Sequence, residues 1–293
     1  MLLEQLKLIN QMSSKKLINK DLLVLGNGPG VNHLNINKVI DLVKSDQLEL
    51  IVVNSFFSQC KIEIPDISGV KFFYLDTQII PLFALSPEEI KDQISLQALN
   101  SADASHSQTL LTYVMDSAIS DINSIYTALS RKNTQVYMHP KFKSVLKDNF
   151  VPLSILPYQK VIRPFAPILS KILGFHGLSN YFGVNVMNSA IMYGVNKNYR
   201  RVFVIGHGGR VEYKIRGGSS DWCINYPYFY DTRDNWYPRI DNLPDFGRAY
   251  LKHRLGQFKF PKKITSKVRF LGNDHDNYAL MSNRSENEIF LNV

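Results

Sequence analysis

The sequence has few cysteines and no long apolar run, and each absence removes a class of protein. Its 293 residues include two cysteines, Cys60 and Cys223, which stand far apart and form no metal-binding or redox motif. A disulfide framework is therefore excluded, and a reduced, cytoplasmic setting is the simplest interpretation. No apolar stretch approaches the length of about 18 residues that a membrane-spanning helix needs. The N-terminal segment also lacks an uninterrupted apolar run, which argues against a signal peptide.

A glycine loop follows the first strongly apolar run. Residues 22–25 are apolar and lead into Gly26-Asn27-Gly28-Pro29-Gly30, a spacing that matches neither common phosphate-binding glycine motif. An apolar run bounded by Gly and Pro predicts a buried parallel strand. The glycines let the backbone bend sharply and approach a ligand, and the first strand-to-helix turn of an open α/β sheet is where phosphates bind. An ordinary tight turn would have the same residues, so both interpretations stand.

Apolar strands alternate with helical segments along the chain, which predicts an α/β fold around a central parallel sheet. The sequence Ser86-Pro87-Glu88-Glu89 predicts a helix start with a capping box. No internal repeat or low-complexity linker divides the chain, so we expect a single domain over residues 1–293. The predicted strands are 22–25, 49–55, 70–76, 134–138 and 200–207, and the predicted helices are 37–44, 86–100, 121–131 and 184–196.

Positive charge is concentrated near the C-terminal end of the sequence. The net charge is +9, and residues 246–273, the basic stretch, contain eight Lys or Arg residues and no acid. Such a stretch suits anionic lipid headgroups, a phosphate-bearing substrate or nucleic acid, and a solvated face would have the same composition. No RNA- or DNA-binding motif accompanies it, so we expect no nucleic-acid partner. We expect peripheral contact with the cytoplasmic face of the inner membrane.

The order of these elements resembles a known enzyme family. The glycine loop, a second strand ending in Asn54, a polar helix start and a late strand followed by a Tyr-rich segment are similar to the bacterial sialyltransferases of glycosyltransferase family 42. They also resemble the wider group of nucleotide-sugar enzymes with the same Gly-Asn-Gly-Pro opening. The resemblance covers residues 22–255, and its specific part is the first loop. It implies a single Rossmann-like domain with a central parallel sheet and an inserted lid, the variant A-type glycosyltransferase fold, with 209–245 as the lid.

The resemblance also implies an activity. Sialic acid or a related 2-keto sugar acid would pass from a CMP-activated donor to a glycan or lipid-linked glycan, with inversion and without a metal ion or other cofactor. Such a transfer belongs to lipopolysaccharide or capsule biosynthesis. Three alternatives remain: a CMP-Kdo or UDP-sugar transferase, a pyrophosphokinase-like enzyme, or a non-catalytic glycan-assembly protein. A monomer and a homo-oligomer are both compatible with the sequence.

Individual residues take their expected roles from the same resemblance. Asn27 and Asn54, with the adjacent Ser55, would bind the CMP-sugar. The resemblance places further contacts to nucleotide and sugar, and the hydroxyls that meet the leaving phosphate, at two later segments. The loop-shaping residues are Gly26, Gly28 and Pro29; the later contacts are Asn185, Asn188, Ser189 and Gly206; and the lid tyrosines are Tyr213, Tyr226, Tyr228 and Tyr230, with Tyr228 assigned a catalytic role.

This chain departs from the family at the residues expected to act as general base and to bind the donor. It reads Gly206-His207-Gly208 where the family has an Asp two residues after the glycine, and Asp76 stands near the position of a binding Asn. Attack by an acceptor hydroxyl requires a base with a pKa near neutrality and stabilisation of the departing phosphate. His207, at the end of a predicted central strand, is the base we choose. Three carboxylates of the predicted lid are the alternatives, because burial raises the pKa of a carboxyl group: Asp231, Asp234 and Asp241. A purely structural His207 also fits the sequence.

Overall fold

The computed structural model describes residues 17–59, 62–77, 79–86, 88–90, 92, 118–147, 149–152, 186–206, 212–215, 222–225, 236–240, 266–272 and 282–292. Its strands are β1 Asp21–Leu25, β2 Leu48–Val53, β3 Val70–Tyr74, β4 Gln135–Met138, β5 Val151–Pro152, β6 Val202–Ile205, β7 Glu212–Ile215, β8 Trp222–Asn225, β9 Trp236–Ile240 and β10 Val268–Phe270. Its helices are α1 Ile36–Lys44, α2 Phe56–Gln59, α3 over 118–130, α4 Lys143–Leu146, α5 Val186–Asn196 and α6 Arg284–Phe290. Short 3-10 helices lie at Pro29–His33, Ile80–Ala84 and Pro140–Phe142.

Seven of these strands form one sheet in the order β10-β6-β1-β2-β3-β4-β5. Every neighbouring pair in it is parallel, and the central β1 places Leu23 between Leu50 of β2 and Phe203 of β6. Parallel sheets are covered by helices on both faces, and their strands are therefore apolar throughout. The predicted α/β fold around a parallel sheet is confirmed.

The strand order changes direction beside β1. From β1 the chain adds β2, β3, β4 and β5 on one side, and then returns to add β6 and β10 on the other. Leu23 and Leu25 of β1 belong to the core cluster that includes residues of α1 and α3, whereas Leu22 and Val24 pack in the cluster of α5 on the opposite face. In open α/β sheets a ligand binds outside the carboxyl ends of the strands at such a reversal. The fold therefore points to the ends of β1 and β6 as the place to look for a site.

Several strands end earlier than their composition predicts. β2 ends at Val53 and β6 at Ile205, so the predicted strands 49–55 and 200–207 were too long. The following residues, Asn54 and Gly206, have φ angles of 56° and 72°. A positive φ turns the chain out of the extended conformation, so pairing with the neighbouring strand cannot continue through it. β3 likewise ends at Tyr74 rather than at residue 76.

The capping box predicted at the start of the helix 86–100 is present. The Ser86 N–H donates to Glu89 Oε2 at 2.7 Å, and the Glu89 N–H donates to Ser86 Oγ at 3.2 Å. Each side chain thus satisfies a backbone donor that the first helical turn leaves without a partner. Residues 88–90 and 92 are helical, and the predicted end of this helix at residue 100 lies outside the described residues.

At the amino edge of the sheet, an ion cluster ties β1 to the segment before β6. The carboxylate of Asp21 accepts hydrogen bonds from Arg200 at 2.9 and 2.8 Å and from Arg201 at 3.2 and 2.7 Å. Burial opposes the ionisation of Asp21, but the two guanidinium groups outweigh it and hold the pKa of this carboxyl below its ordinary value. The charged residues of the central strands are therefore paired at the end away from the candidate site.

The predicted lid segment, 209–245, contains an antiparallel sheet. β7 pairs with β8 and β8 with β9 in the order β7-β8-β9, with an irregularity in register between Trp222 and Ile224. The remaining residues of this segment lie outside the described part of the chain. Among the described helices, none has the length and apolarity needed to cross a membrane.

Candidate functional site

The loops after β1 and β6 touch through their glycines. A Cβ atom on Gly26 would lie 2.3 Å from the Gly206 carbonyl oxygen, and a Cβ on Gly206 would lie 2.5 Å from the Gly26 carbonyl oxygen. The Gly28 N–H also donates to the Gly206 carbonyl at 2.8 Å. No other residue fits either position without displacing backbone, because real Cβ atoms do not approach within 3.0 Å of another heavy atom. The two loops are thus in contact at the strand-order reversal, the place where open α/β sheets bind ligands.

The N-terminal turn of α5 packs against the same loop. Met187 lies so close that its Sδ would be 2.7 Å from a Cβ on Gly26. Ser189, one of the predicted contacts, is buried in this turn with an exposed fraction of 4%. Asn188 lies between them in the helix. The predicted polar helix start and the glycine loop are therefore neighbours in the fold.

Asn27, in the loop after β1, has a buried side chain with an unsatisfied polar atom. Its exposed fraction is 7%, and its Nδ2 donates to Ser55 Oγ at 3.4 Å. Its Oδ1 is buried and has no hydrogen-bond partner, the one such side-chain atom in the described part of the chain. A buried polar atom without a partner costs about 1–3 kcal/mol. A ligand that donates a hydrogen bond to this oxygen would remove the cost.

Asn54, at the end of β2, adopts a left-handed backbone conformation. Its φ is 56°, and its N–H donates to the Phe73 carbonyl at 3.2 Å, extending the ladder to β3 by one bond. Asn adopts this conformation more readily than most residues, and strained conformations of this kind concentrate at functional sites. The turn at Asn54 directs the chain so that the next residue, Ser55, is buried beside Asn27.

The carboxyl group of Asp121 continues this polar arrangement near the ends of β2 and β3. Asp121, on α3, accepts a hydrogen bond from the Tyr74 hydroxyl at 2.9 Å and another from Ser55. Burial raises the pKa of Asp121 to about 7; the hydrogen bond from Tyr74 opposes the increase, and the charge of Asp76 adds to it. Burial and the Asp121 charge together raise the pKa of Tyr74 well above its ordinary value, so its hydroxyl stays protonated and can only donate to an ionised Asp121. The side chains of Asn27, Ser55, Asp121 and Tyr74 form one hydrogen-bonded chain, the strand-end relay.

The structure brings together part of the predicted set and leaves part undescribed. The glycine loop, the turn after β2, the first turn of α5 and Gly206 all lie at the carboxyl edge of the sheet or against it. Pro29 begins the 3-10 helix that follows the loop, and Tyr213 lies in β7. The predicted site residues outside the described part of the chain are Asn185, His207, Tyr226, Tyr228, Tyr230 and Asp241.

Two members of the strand-end relay, Asp121 and Tyr74, were not predicted as site residues. Tyr74 is the last residue of an apolar strand, and Asp121 lies in a helix with a serine on its N-terminal side. Nothing in the local sequence joins residues 47 positions apart. The one available signal was positional: Tyr74 and Asp76 flank a strand end, where polar groups of neighbouring strands converge.

The structure thus defines an α/β protein with a seven-stranded parallel sheet, whose loops after β1 and β6 meet at the strand-order reversal. Comparison of the chain with protein-family models, with curated proteins and with solved structures finds no match. Within the described ranges, no group of three or more His, Cys, Asp or Glu side chains is placed to hold a metal ion.

Proposed function

We propose that the chain is a glycosyltransferase of the sialyltransferase-like kind, built on a Rossmann-like domain. It would bind a CMP-activated sugar acid in the cleft between the ends of β1 and β6. The observation that carries the proposal is the buried Oδ1 of Asn27, which lacks a partner and belongs to the residue after Gly26, the glycine that contacts Gly206. Glycines permit a ligand to come within contact of backbone N–H groups, and an unpaired buried amide supplies a directional contact.

The proposed reaction moves one sugar without a change in oxidation state. An oxygen of the acceptor hydroxyl forms a bond to the anomeric carbon, and the bond from that carbon to the CMP phosphate oxygen breaks. The hydroxyl proton passes to a general base, for which His207 stays the prediction and Asp241 the alternative. Hydroxyl groups and backbone N–H donors near the departing phosphate lower the barrier by stabilising its developing charge. Tyr228 is the predicted hydroxyl of this kind.

Nucleotide binding gives the direct test. In thermal unfolding with CMP, UDP, GDP and ATP, each with and without Mg²⁺, we expect CMP to stabilise the protein independently of Mg²⁺. A ligand at 100 times its Kd adds about 2.7 kcal/mol to the free energy of unfolding. Asn27→Ala should weaken CMP binding by about 1–3 kcal/mol, because it removes a buried polar contact.

The matched control is Asn133→Ala. Asn133 precedes β4 at the amino edge of the sheet, where its side chain donates to the Asp66 carbonyl at 3.0 Å. This variant should bind CMP as the parent does. If ATP with Mg²⁺ stabilises the protein and CMP does not, the chain is a different nucleotide enzyme. Unchanged CMP affinity in Asn27→Ala would place the nucleotide elsewhere.

We further propose that the basic stretch, 246–273, holds the protein at the cytoplasmic face of the inner membrane, where lipid-linked acceptors lie. Two of its eight basic residues, Lys267 and Arg269, are within the described part of the chain. The Lys267 ammonium donates to Asn198 Oδ1, and Arg269 lies in β10 opposite Phe203. The attraction to lipid would therefore come mainly from the other six.

Vesicle co-sedimentation tests the membrane proposal. Each Lys or Arg near an anionic surface contributes about 1 kcal/mol, so Lys262→Gln with Lys263→Gln should weaken binding to phosphatidylserine vesicles by roughly 30-fold at low salt. The control pair is Lys132→Gln with Lys141→Gln, two exposed lysines outside the basic stretch. Binding should decrease as salt rises. Equal binding to neutral and anionic vesicles would contradict the proposal.

A further inference from the structure

The number of hydrogens that each group of the strand-end relay can donate determines which group donates and which accepts. An ionised carboxylate only accepts hydrogen bonds, and a serine hydroxyl has one proton to donate. Asp121 accepts from Tyr74 at 2.9 Å and from Ser55. The Ser55 proton is thus committed to Asp121, and toward Asn27 the Ser55 oxygen can only accept. The side of the Asn27 amide that faces Ser55 must then be the donor Nδ2, as it is in the structure.

The same argument determines which atom of the Asn27 amide faces away from Ser55. With Nδ2 on Ser55, the acceptor Oδ1 is the atom on the opposite side of the amide, where it is buried without a partner. A carbonyl oxygen repels a phosphate oxygen and attracts an O–H or N–H group. This orientation selects a ligand donor at that point.

We propose that Asp121 and Ser55 are positioning residues that turn the Asn27 amide so that Oδ1 binds a hydroxyl or amino hydrogen of a nucleoside. The inference rests on the proposed function for the identity of the ligand, a cytosine nucleotide. It adds to that proposal which end of the ligand meets the first loop: the ribose hydroxyls or the base amino group contact Asn27, and the phosphate lies elsewhere in the cleft.

Protonation of Asp121 reverses the chain of donors. A neutral Asp121 donates its own proton to Ser55, whose hydroxyl is then free to donate to Asn27 Oδ1. The amide turns over, and the donor Nδ2 faces the cleft in place of the acceptor. The titratable groups that face Asp121 in the described part of the chain are Tyr74 on β3 and Asp76 after it. Tyr74 stays a donor throughout, because its pKa is raised well above its ordinary value.

Binding of cytidine measured by calorimetry between pH 5.5 and 8.5 tests the relay. Cytidine is the probe because it has no phosphate group, whose second pKa of about 6 would titrate in the same range. We expect the parent to bind cytidine about tenfold more tightly at pH 8 than at pH 6, the size of one net hydrogen bond. In Asp121→Asn the new amide donates to Ser55 at every pH, so affinity should stay at the low-pH level throughout. Ser55→Ala should also lose the pH dependence.

Tyr74→Phe is the matched control. It removes one hydrogen bond to the ionised carboxylate and leaves the path from Asp121 to Asn27 intact. The pH dependence of cytidine binding should persist, with its midpoint displaced to higher pH, because the charged form of Asp121 has lost a donor. If Tyr74 had only a structural role, Tyr74→Phe would leave the midpoint of the pH dependence unchanged. The same pH dependence in Asp121→Asn as in the parent would overturn the proposal.

A second measurement separates the relay from the nucleotide assignment. The side-chain amide signals of Asn27, identified by their absence in Asn27→Ala, can be followed by ¹H–¹⁵N NMR in the protein without ligand. They should shift with pH in the parent and stay fixed in Asp121→Asn. If neither cytidine nor CMP binds at any pH but the signals shift, the proposed nucleotide is wrong and the relay is correct. Signals that do not respond to pH in the parent overturn the relay itself.

Discussion

Replacing Gly206 by alanine should lower the free energy of unfolding by about 2–5 kcal/mol. Two costs combine. The φ of 72° places an L-residue in the left-handed region, which costs about 1–2 kcal/mol. The added Cβ would lie 2.5 Å from the Gly26 carbonyl oxygen and 2.6 Å from Val31 Cγ2, and overpacking of this kind costs about 1–3 kcal/mol more. Urea denaturation monitored by circular dichroism measures the difference.

Gly272→Ala isolates the conformational cost. Gly272 has a φ of 65°, and the nearest atom to its added Cβ is Leu291 Cδ1 at 3.7 Å, an ordinary van der Waals distance. Its expected loss is therefore the strain alone, about 1–2 kcal/mol. If the two variants lose the same stability, the loops after β1 and β6 do not touch as described. A Gly206→Ala protein as stable as the parent would also show that these two loops are not in contact.

The second large effect is a pH-dependent stability that Asp121→Asn should abolish. The folded state holds the Asp121 proton up to a pKa of about 7, whereas the unfolded chain releases it near the ordinary value of 3.8. Between these values the folded state binds more protons, so its stability falls as pH rises. One pKa unit corresponds to about 1.4 kcal/mol, and we expect the parent to lose about 2–4 kcal/mol relative to the variant between pH 4 and 7. Above pH 7 the difference should be constant.

Urea denaturation at half-unit pH steps measures this difference, with Asp66→Asn as the control. The Asp66 carboxylate accepts hydrogen bonds from the Lys132 and Asn133 backbone N–H groups at 2.8 and 2.9 Å, and these hold its pKa below its ordinary value. A lowered pKa gives stability that is lost only as pH falls below about 4. The Asp66→Asn difference should therefore be flat between pH 4 and 7. A parent protein whose stability relative to Asp121→Asn is also flat there would show that the pKa of Asp121 is not raised in the folded state.

The elements of the fold could be predicted because their signals are local. The run at 22–25 is apolar at every position, and it forms a strand buried on both faces. The parallel arrangement followed from the alternation of strands and helices. The end of β2 was missed by two residues because a positive φ has no reliable signature in a non-glycine residue such as Asn54. The end of β6 was also missed by two residues, because the predicted strand includes Gly206 although glycine readily adopts the positive φ that ends it.

Candidate site residues could be predicted only where the local sequence marks the end of a strand. Gly26 and Asn27 stand out by their glycine context, and the turn after β2 by its Asn. The contact between Gly26 and Gly206 depends on β6 returning to lie beside β1, which the order of elements along the chain does not determine. Asp121 depends on the packing of α3 beneath the ends of β2 and β3. Such pairings arise from tertiary packing and have no counterpart in local composition.

The position of β1 has a consequence for how the chain is made. β1 can pair with β2 as soon as residue 53 has left the ribosome, but its other partner, β6, ends at Ile205. Until then β1 is an edge strand, with a row of unpaired backbone groups on apolar sequence that favours association with other chains. At roughly 5–20 residues per second, this exposure lasts on the order of ten seconds. An interior strand of the finished sheet is thus the one that waits longest for its second neighbour during synthesis, and the ion pairs of Asp21 with Arg200 and Arg201 form only at the end of that interval.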